Sequence, residues 1–140
     1  MPGWDISGSA LPNRVCGVPL AVILIVEDEV FTRELAGMCI EDWGHKVLFA
    51  GTVVEALGIL RTGQAIDALF TDIYLKADVY GGCDVAKAAK ALRPDLRVLY
   101  TTGNAATDVL KARFVLGSHF LSKPYTPNQL RVSVDSMLDA

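Results

Sequence analysis

The sequence predicts an α/β protein with a doubly wound, five-stranded parallel sheet. From residue 20 onward, short apolar runs of strand length alternate with longer stretches of helical period. The short runs are continuously apolar, which indicates strands buried on both faces of a parallel sheet. Short connections and the right-handed crossover rule then place helices on both faces of that sheet.

The predicted strands and helices alternate strictly along the chain. The strands are predicted at Ala21–Val26, Lys46–Ala50, Ala68–Thr71, Leu96–Tyr100 and Phe120–Leu121. The helices are predicted at Phe31–Trp43, Val53–Arg61, Cys83–Leu92, Thr107–Phe114 and Pro127–Leu138. In the first helix, Leu35, Met38 and Cys39 recur at three- and four-residue steps, which is typical of an amphipathic helix.

Polar and small residues mark several of the element boundaries. Thr52 and Thr126 precede helical stretches, at the position where a hydroxyl can cap the first free N–H groups. Gly44, Gly63 and Gly103 fall where a helix or strand should stop. These residues support the predicted order of elements.

Length and composition limit the class of protein. We place one domain at residues 20–140 of the 140-residue chain, after a flexible leader at residues 1–19. No apolar run approaches the roughly 18 residues that cross a bilayer, so we expect no membrane association. The net charge of −3 and the scattered basic residues do not favour nucleic-acid binding. The odd number of cysteines, without metal-ligand spacing, indicates reduced thiols in a cytoplasmic protein.

Polar side chains follow four of the predicted strands. Glu27 and Asp28 follow the first strand, and Asp72 follows the third. Thr102 and Lys123 follow the fourth and fifth strands. Because ligands of such sheets bind outside the carboxyl ends of the strands, we expect these side chains to meet at one edge.

The chemistry of these residue types favours phosphorylation of a carboxylate. Carboxylates at close range repel one another unless a cation is present, and Mg²⁺ prefers oxygen ligands. A lysine ammonium and a threonine hydroxyl suit the peripheral oxygens of a phosphoryl group. An aspartate nucleophile, a divalent cation and two electrostatic stabilisers together predict acyl phosphate formation.

Four segments carry a resemblance to a known family. Val22–Glu29, Leu69–Asp72, Val98–Gly103 and Phe120–Tyr125 resemble the four signature segments of response-regulator receiver domains, in the same order and at similar intervals. The resemblance covers about residues 20–138. It implies the (βα)5 flavodoxin-like fold of the CheY-like superfamily, in two-component signalling or a phosphorelay.

The resemblance also implies roles for particular residues. Asp72 would accept phosphate from a sensor histidine kinase or a histidine phosphotransfer protein. Glu27, Asp28, Asp72 and the backbone carbonyl of Tyr74 would bind Mg²⁺, with Mn²⁺ as a substitute. The implied catalytic residues are completed by Thr102 and Lys123, and Lys123 would precede Pro124 in a cis peptide bond.

Phosphorylation is expected to change a protein-interaction face. By the resemblance, Thr102 and the aromatic Phe120 form the switch pair. The face would include Ala105, Ala106, Val109, Arg113, Phe120 and Tyr125, and it would contact an output protein or a second copy. No output domain is expected in the chain, which leaves a stand-alone regulator or a piece of a longer protein.

Two alternatives from other classes stay open. A phosphohydrolase with an aspartate nucleophile would place a second acid two residues later, where this chain has Tyr74. A receiver-like interaction module that is never phosphorylated would often lack the acceptor, an acid or the lysine. Each residue also has an ordinary interpretation: Asp72 as a helix cap, Thr102 as a turn residue, Lys123 as a solvated lysine and Phe120 as core.

One segment departs from the family pattern. The stretch Ile73–Gly82 is longer by about two residues than the usual link from the acceptor to the next glycine, and it predicts a mobile, partner-specific loop. Tyr74 and Asn104 occupy the positions that border the path of the hydrolytic water in the family. We therefore expect them to set the lifetime of the phosphoaspartate.

Overall fold

The computed structural model describes residues 20–139, so the predicted leader and Cys16 lie outside the described residues. Five strands and five helices alternate. The strands are β1 (Val22–Val26), β2 (Lys46–Ala50), β3 (Ala68–Asp72), β4 (Arg97–Thr102) and β5 (His119–Ser122). The helices are α1 (Val30–Asp42), α2 (Val53–Leu60), α3 (Gly81–Leu92), α4 (Asp108–Lys111) and α5 (Pro127–Asp139).

The strands form one parallel sheet in the order β2-β1-β3-β4-β5. Helices α1 and α5 pack together, as do α2 and α3, so that both faces of the sheet are covered. The chain moves outward from β1 to β2 in one direction and from β3 to β5 in the other. The carboxyl ends of β1 and β3 therefore meet where the strand order reverses, and the predicted fold class is confirmed.

The central strands explain the continuous apolar runs of the sequence. Every residue of β1 and of β3 is buried. Along β1, Ile23 and Ile25 belong to one apolar cluster, whereas Leu24 and Val26 belong to the other. Because successive side chains of a strand point to opposite faces, a sheet with two covered faces needs apolar residues at consecutive positions.

The predicted caps are confirmed. The hydroxyl of Thr52 accepts a hydrogen bond from the backbone N–H of Glu55 at 3.1 Å. Thr126 accepts from the backbone N–H of Gln129 at 3.1 Å, and the Gln129 side chain accepts from the N–H of Thr126 at 2.9 Å. This reciprocal pair is a capping box. Gly44 ends α1 with φ of 102°, a conformation that favours glycine.

The face of helix α1 that packs on the sheet is not the face with the regularly spaced large apolar side chains. Ala36 and Ile40 are buried, whereas Leu35 and Met38 are 53% and 65% exposed. The inward face could not be predicted from the size of the apolar residues, because it carries small residues that let the helix approach the sheet. At Gly37, a β-carbon would lie 2.5 Å from the ring of Phe49.

The predicted helix Thr107–Phe114 was wrong in its length, because α4 ends at Lys111. After α4, Arg113 and Phe114 donate to carbonyls three residues earlier, which tightens the turn. The ring of Phe114 stacks on Tyr100 with the centroids 4.2 Å apart. The chain leaves the helical path here and places this aromatic ring against the sheet. The other predicted boundaries coincide with the structure or differ from it by one or two residues.

Candidate functional site

A polar cluster lies at the sheet edge where the strand order reverses. Glu27 and Asp28 directly follow β1, and Asp72 is the last residue of β3. Thr102 ends β4, and Lys123 directly follows β5. The expectation that these residues share one edge of the sheet is therefore met by their positions in the strands.

Lys123 joins two of the acids. Its Nζ lies 2.7 Å from Oε1 of Glu27 and 3.0 Å from Oδ2 of Asp72. Both acids are buried, at 4% and 8% exposure. The backbone N–H of Lys123 donates to the carbonyl of Thr102 at 2.9 Å, and the bond from Lys123 to Pro124 is cis. The backbone therefore fixes the start of the lysine side chain beside the carboxylates.

Burial and charge act against each other in this cluster. Burial raises the pKa of the Glu27 carboxyl above its ordinary value, the hydrogen bond from Lys123 opposes the rise, and the nearby Asp72 adds to it. For Lys123, burial alone would lower the pKa, but its hydrogen bond to Glu27 and its interactions with Asp72 raise it overall. Lys123 is therefore held in its charged form, and a further cation would stabilise the ionised form of Glu27.

The three acids could hold a metal ion. One carboxylate oxygen from each of Glu27, Asp28 and Asp72 lies within 4.8 Å of the others. Three carboxylates face one ammonium, so the cluster keeps an excess of negative charge. An all-oxygen donor set is what hard divalent cations such as Mg²⁺ and Ca²⁺ prefer. The residues present therefore fit a divalent cation.

Backbone groups orient the two acids that follow β1. The N–H of Glu29 donates to Oε2 of Glu27 at 3.1 Å. The N–H of Lys76 donates to Oδ2 of Asp28 at 2.7 Å. From helix α1, the guanidinium of Arg33 donates to the carbonyl of Glu27 at 2.9 Å. These contacts restrain both the turn after β1 and its carboxylates.

The long segment after Asp72 has defined structure. Leu75 and Asp78 exchange two backbone hydrogen bonds, at 3.1 and 2.9 Å, and form an isolated antiparallel bridge. The N–H of Gly82 donates to the carbonyl of Ile73 at 3.0 Å. A β-carbon at Gly82 would collide with the carbonyl oxygen of Asp72. The extra residues expected from the sequence thus form a tight hairpin, and glycine is required where α3 begins.

The remaining predicted site residues lie around this centre. The Thr102 hydroxyl is buried and accepts from the N–H of Asn104 at 3.2 Å. Phe120 is half-buried and stacks on Phe114, with ring centroids 6.0 Å apart. The half-buried Tyr74 packs its ring against Tyr80 at 5.7 Å.

Two contacts at this edge were missed by sequence reasoning. The Lys76 N–H that binds Asp28 is a backbone group, so no residue type could have indicated it. The guanidinium of Arg113 lies over the ring of Tyr80, 3.8 Å from its centroid. Arg113 was expected in the interaction face, but its ring partner could not be found without the tertiary structure.

An apolar groove of about 600 Å³ lies next to Lys123, between α1 and α5. Leu35, Cys39, Tyr125 and Leu130 are among the residues that line it. A larger groove of about 840 Å³ is lined by Trp43 and several charged residues, and it does not include Glu27, Asp28 or Asp72. Among the described residues, no helix is both long and apolar enough to cross a membrane.

Comparisons with known proteins agree on one family. Residues 23–135 match the family described as the response regulator receiver domain. The alginate biosynthesis transcriptional regulatory protein AlgB of Pseudomonas aeruginosa is 31% identical over 118 residues, covering 84% of this chain and 26% of AlgB. The sensor kinase CckA of Brucella abortus is 28% identical over 139 residues, covering 96% of this chain and 13% of CckA.

A solved structure gives the same result. A response regulator receiver protein from Sinorhizobium medicae superposes with a TM-score of 0.79 at 30% sequence identity. The match covers 86% of this chain and 95% of that protein's chain. By contrast, the chain spans about a quarter of the length of AlgB and a smaller part of CckA.

Proposed function

The chain belongs to the response regulator receiver domains, and on that premise we propose that it is a phosphoacceptor switch with Asp72 as the phosphorylated residue. The observation that carries the proposal is the convergence of Asp72 with two further acids and the Lys123 ammonium at one sheet edge. The Lys123 ammonium and a cation held by the acids would together neutralise charge around the Asp72 carboxylate, as phosphoryl transfer requires.

In the proposed reaction, an oxygen of Asp72 attacks the phosphorus of a partner's phosphohistidine. The new bond joins this oxygen to phosphorus, the phosphorus–nitrogen bond breaks, and the imidazole leaves with its electron pair. A bound divalent cation supplies charge neutralisation on the phosphoryl oxygens. Attack of water on phosphorus later releases inorganic phosphate and restores the Asp72 carboxylate.

Each site residue has a proposed role in this chemistry. Glu27, Asp28 and Asp72, with the backbone carbonyl of Tyr74, would hold Mg²⁺ or Mn²⁺. Lys123 already lies 3.0 Å from the Asp72 carboxylate, so its ammonium can pair with a phosphoryl oxygen after small movements. The hydroxyl of Thr102 would donate a hydrogen bond to a second phosphoryl oxygen.

The proposed phosphodonor is a sensor histidine kinase or a histidine phosphotransfer protein. AlgB is a transcriptional regulatory protein and CckA a sensor kinase, and both contain a segment similar to this chain. On α1, Phe31, Leu35 and Met38 form an exposed apolar stripe, with 73%, 53% and 65% exposure. Its position beside the Lys123 groove suits the docking of a partner helix that carries the histidine.

We further propose that phosphorylation shifts the face that includes α4, β5 and α5 between two states. Thr102 would move toward the phosphoryl group, and Phe120 would turn inward from its half-buried position. The exposed Val109 and the half-buried Tyr125 on this face would contact an output protein or a second copy. The proposed domain comprises residues 20–140 and acts in the cytoplasm as a switch rather than a metabolic enzyme.

The decisive test is intact mass after incubation with acetyl phosphate and Mg²⁺. We expect wild type to gain one phosphoryl group, and Asp72→Asn or the omission of Mg²⁺ to abolish the gain. Asp135→Asn, which alters an exposed acid on α5, is the matched control and should be phosphorylated normally. Phosphorylation that persists in Asp72→Asn would refute the assignment of the acceptor.

The alternative is a receiver-like module that works without phosphorylation. A calorimetric titration with Mg²⁺ separates the two hypotheses, because such a module has no need for a cation at its acids. Binding in wild type that is lost in Asp28→Ala would support the switch. A wild-type protein that binds no Mg²⁺ and gains no phosphate would favour the module.

Tyr74 and Asn104 are proposed to set the lifetime of the phosphoaspartate. Tyr74 is bulky and half-buried beside Tyr80, so it can restrict the approach of water to the phosphoryl group. We expect Tyr74→Asn to dephosphorylate several-fold faster than wild type. The decay of the phosphorylated mass after removal of acetyl phosphate measures this, and an unchanged rate would contradict the role.

A further inference from the structure

We propose that the hairpin Leu75–Asp78 is a positioning element for Asp28, acting through the backbone N–H of Lys76. This inference rests on the proposed function, because it requires Asp28 to bind a cation. The Lys76 nitrogen lies 2.7 Å from Oδ2 of Asp28 and joins residues 48 positions apart in the chain. It therefore ties the segment after β3 to the turn after β1.

The direction of this N–H group is fixed by the backbone of the hairpin. Leu75 and Asp78 exchange two hydrogen bonds, and the N–H of Gly81 also donates to the carbonyl of Asp78 at 3.1 Å. The Leu75 side chain is 5% exposed and packs in the apolar core. A donor held in this way needs no ordering when the cation binds, which favours a preformed site.

The other end of the segment is anchored by aromatic contacts. The ring of Tyr80 packs against Tyr74 at 5.7 Å and beneath the guanidinium of Arg113 at 3.8 Å. Arg113 follows α4 in the chain. The hairpin is thus restrained by the Asp28 carboxylate, and the residues that follow it are restrained by the contacts of Tyr80.

Asp28 depends on such a donor more than the other two acids do. Lys123 contacts Glu27 and Asp72, and these two are buried, whereas Asp28 is half-buried. The hydrogen bond to Oδ2 orients the carboxylate and leaves its second oxygen for a cation. Donors that orient metal ligands in this way commonly change metal affinity by about 10- to 100-fold when removed.

A proline at residue 76 removes the N–H donor together with the lysine side chain. Lys76 is the second residue of the four-residue turn Leu75–Asp78. Calorimetric titration of the full chain with Mg²⁺ should give a dissociation constant raised about tenfold in Lys76→Pro. Lys76→Ala keeps the N–H and removes the side-chain charge, so it should bind like wild type. Equal affinity in Lys76→Pro and Lys76→Ala would overturn the proposal.

A kinetic split separates positioning from general damage to the site. In Lys76→Pro, the Mg²⁺ concentration that gives half the maximal rate of phosphorylation by acetyl phosphate should rise about tenfold. The maximal rate at saturating Mg²⁺ should stay close to that of wild type. A saturated rate that falls as much as the affinity does would mean that the hairpin only maintains the loop, and would overturn the proposal. Wild type that binds no Mg²⁺ would instead overturn the metal site itself, and this inference with it.

Amide hydrogen exchange tests the contact without a substitution, should Lys76→Pro fail to fold. In wild type, the Lys76 amide should stay protected when Mg²⁺ is added, and it should lose protection in Asp28→Ala. Protection that disappears on addition of Mg²⁺ would mean that Asp28 leaves Lys76 to reach the cation. The hairpin would then compete with the metal, and the proposal would be overturned.

Discussion

The two strands β3 and β5 show how differently the two halves of the site are built. Every residue of β3 is buried, and β3 pairs with strands on both sides. Three residues of β5 are half-buried, its last residue is exposed, and it lies at the edge of the sheet. The proposed acceptor Asp72 therefore lies in a core strand, whereas Phe120 lies in an edge strand.

The difference matches the proposed division of work between the two strands. A phosphoacceptor must be held in fixed geometry, because transfer depends on the alignment of attacking oxygen, phosphorus and leaving group. A switch residue must move between two states of similar free energy, which a weakly packed edge permits. The four-residue α4 beside β5 is also short, and its buried residue is Leu110.

The largest effect is expected at Gly82, the α3 residue whose added β-carbon would lie 1.9 Å from the carbonyl oxygen of Asp72. A β-carbon there would meet the backbone of Asp72 and Ile73, which cannot move aside without displacing the Asp72 carboxylate. We expect Gly82→Ala to lower the free energy of unfolding by more than about 3 kcal/mol. Urea denaturation followed by circular dichroism measures this.

Gly58→Ala is the control for that substitution. Gly58 lies in α2 with no heavy atom within 4 Å of a built β-carbon. Alanine should therefore stabilise the protein by about 0.5–1 kcal/mol, through its higher helix propensity. A Gly82→Ala protein as stable as wild type would show that the acceptor strand is less rigid than we infer.

A pair of leucine truncations measures the comparison directly. Leu69 in β3 is completely buried, whereas Leu121 in β5 is half-buried. We expect Leu69→Ala to cost about 3 kcal/mol and Leu121→Ala about 1 kcal/mol of unfolding free energy. Equal losses by urea denaturation would remove the distinction between core and edge.

Tyr100 of the buried strand β4 contacts the segment between α4 and β5, and the ionisation of its phenol makes its contribution to stability depend on pH. Burial raises the pKa of Tyr100 to about 12 from 10.0, and its hydroxyl oxygen accepts from the N–H of Val115 at 3.0 Å. The folded state holds this proton more tightly, so its stabilisation is complete below pH 10 and is lost as pH rises toward 12.

Tyr100→Phe should therefore lose about 1 kcal/mol at pH 7, because the Val115 N–H loses its partner. Between pH 10 and pH 12 it should lose less stability than wild type does. Thermal unfolding across this range measures both effects. If the stability of the two proteins falls equally between pH 10 and pH 12, the ionisation of Tyr100 does not cause the alkaline loss of stability.

The smallest effect is expected where Arg113 covers Tyr80. Arg113→Met removes a ring–guanidinium contact worth about 0.5–1 kcal/mol at a partly exposed site. Lys111→Met removes the same charge from the neighbouring turn, where the side chain is exposed, and should cost less. If both variants have the same stability in urea, the contact does not anchor the segment after Asp72.

The sequence by itself determined the fold class, the order of the elements and which polar residues follow the strands. Continuous apolar strands require a sheet covered on both faces, and the strand ends of such a sheet must share an edge. The residues Glu27, Asp28, Asp72 and Lys123 could therefore be grouped from the sequence alone. The caps at Thr52 and Thr126 could be predicted for the same reason, since both depend on near neighbours in the chain.

The tertiary structure alone decided three features that depend on contacts between distant residues. The periodicity of α1 could not show that Ala36 and Ile40 face the sheet, because Leu35 and Met38 repeat just as regularly. The early end of α4 follows from the packing of Phe114 on Tyr100. The contact from the Lys76 N–H to Asp28 is made by a backbone group, which every residue except proline possesses, so only its position in space distinguishes it.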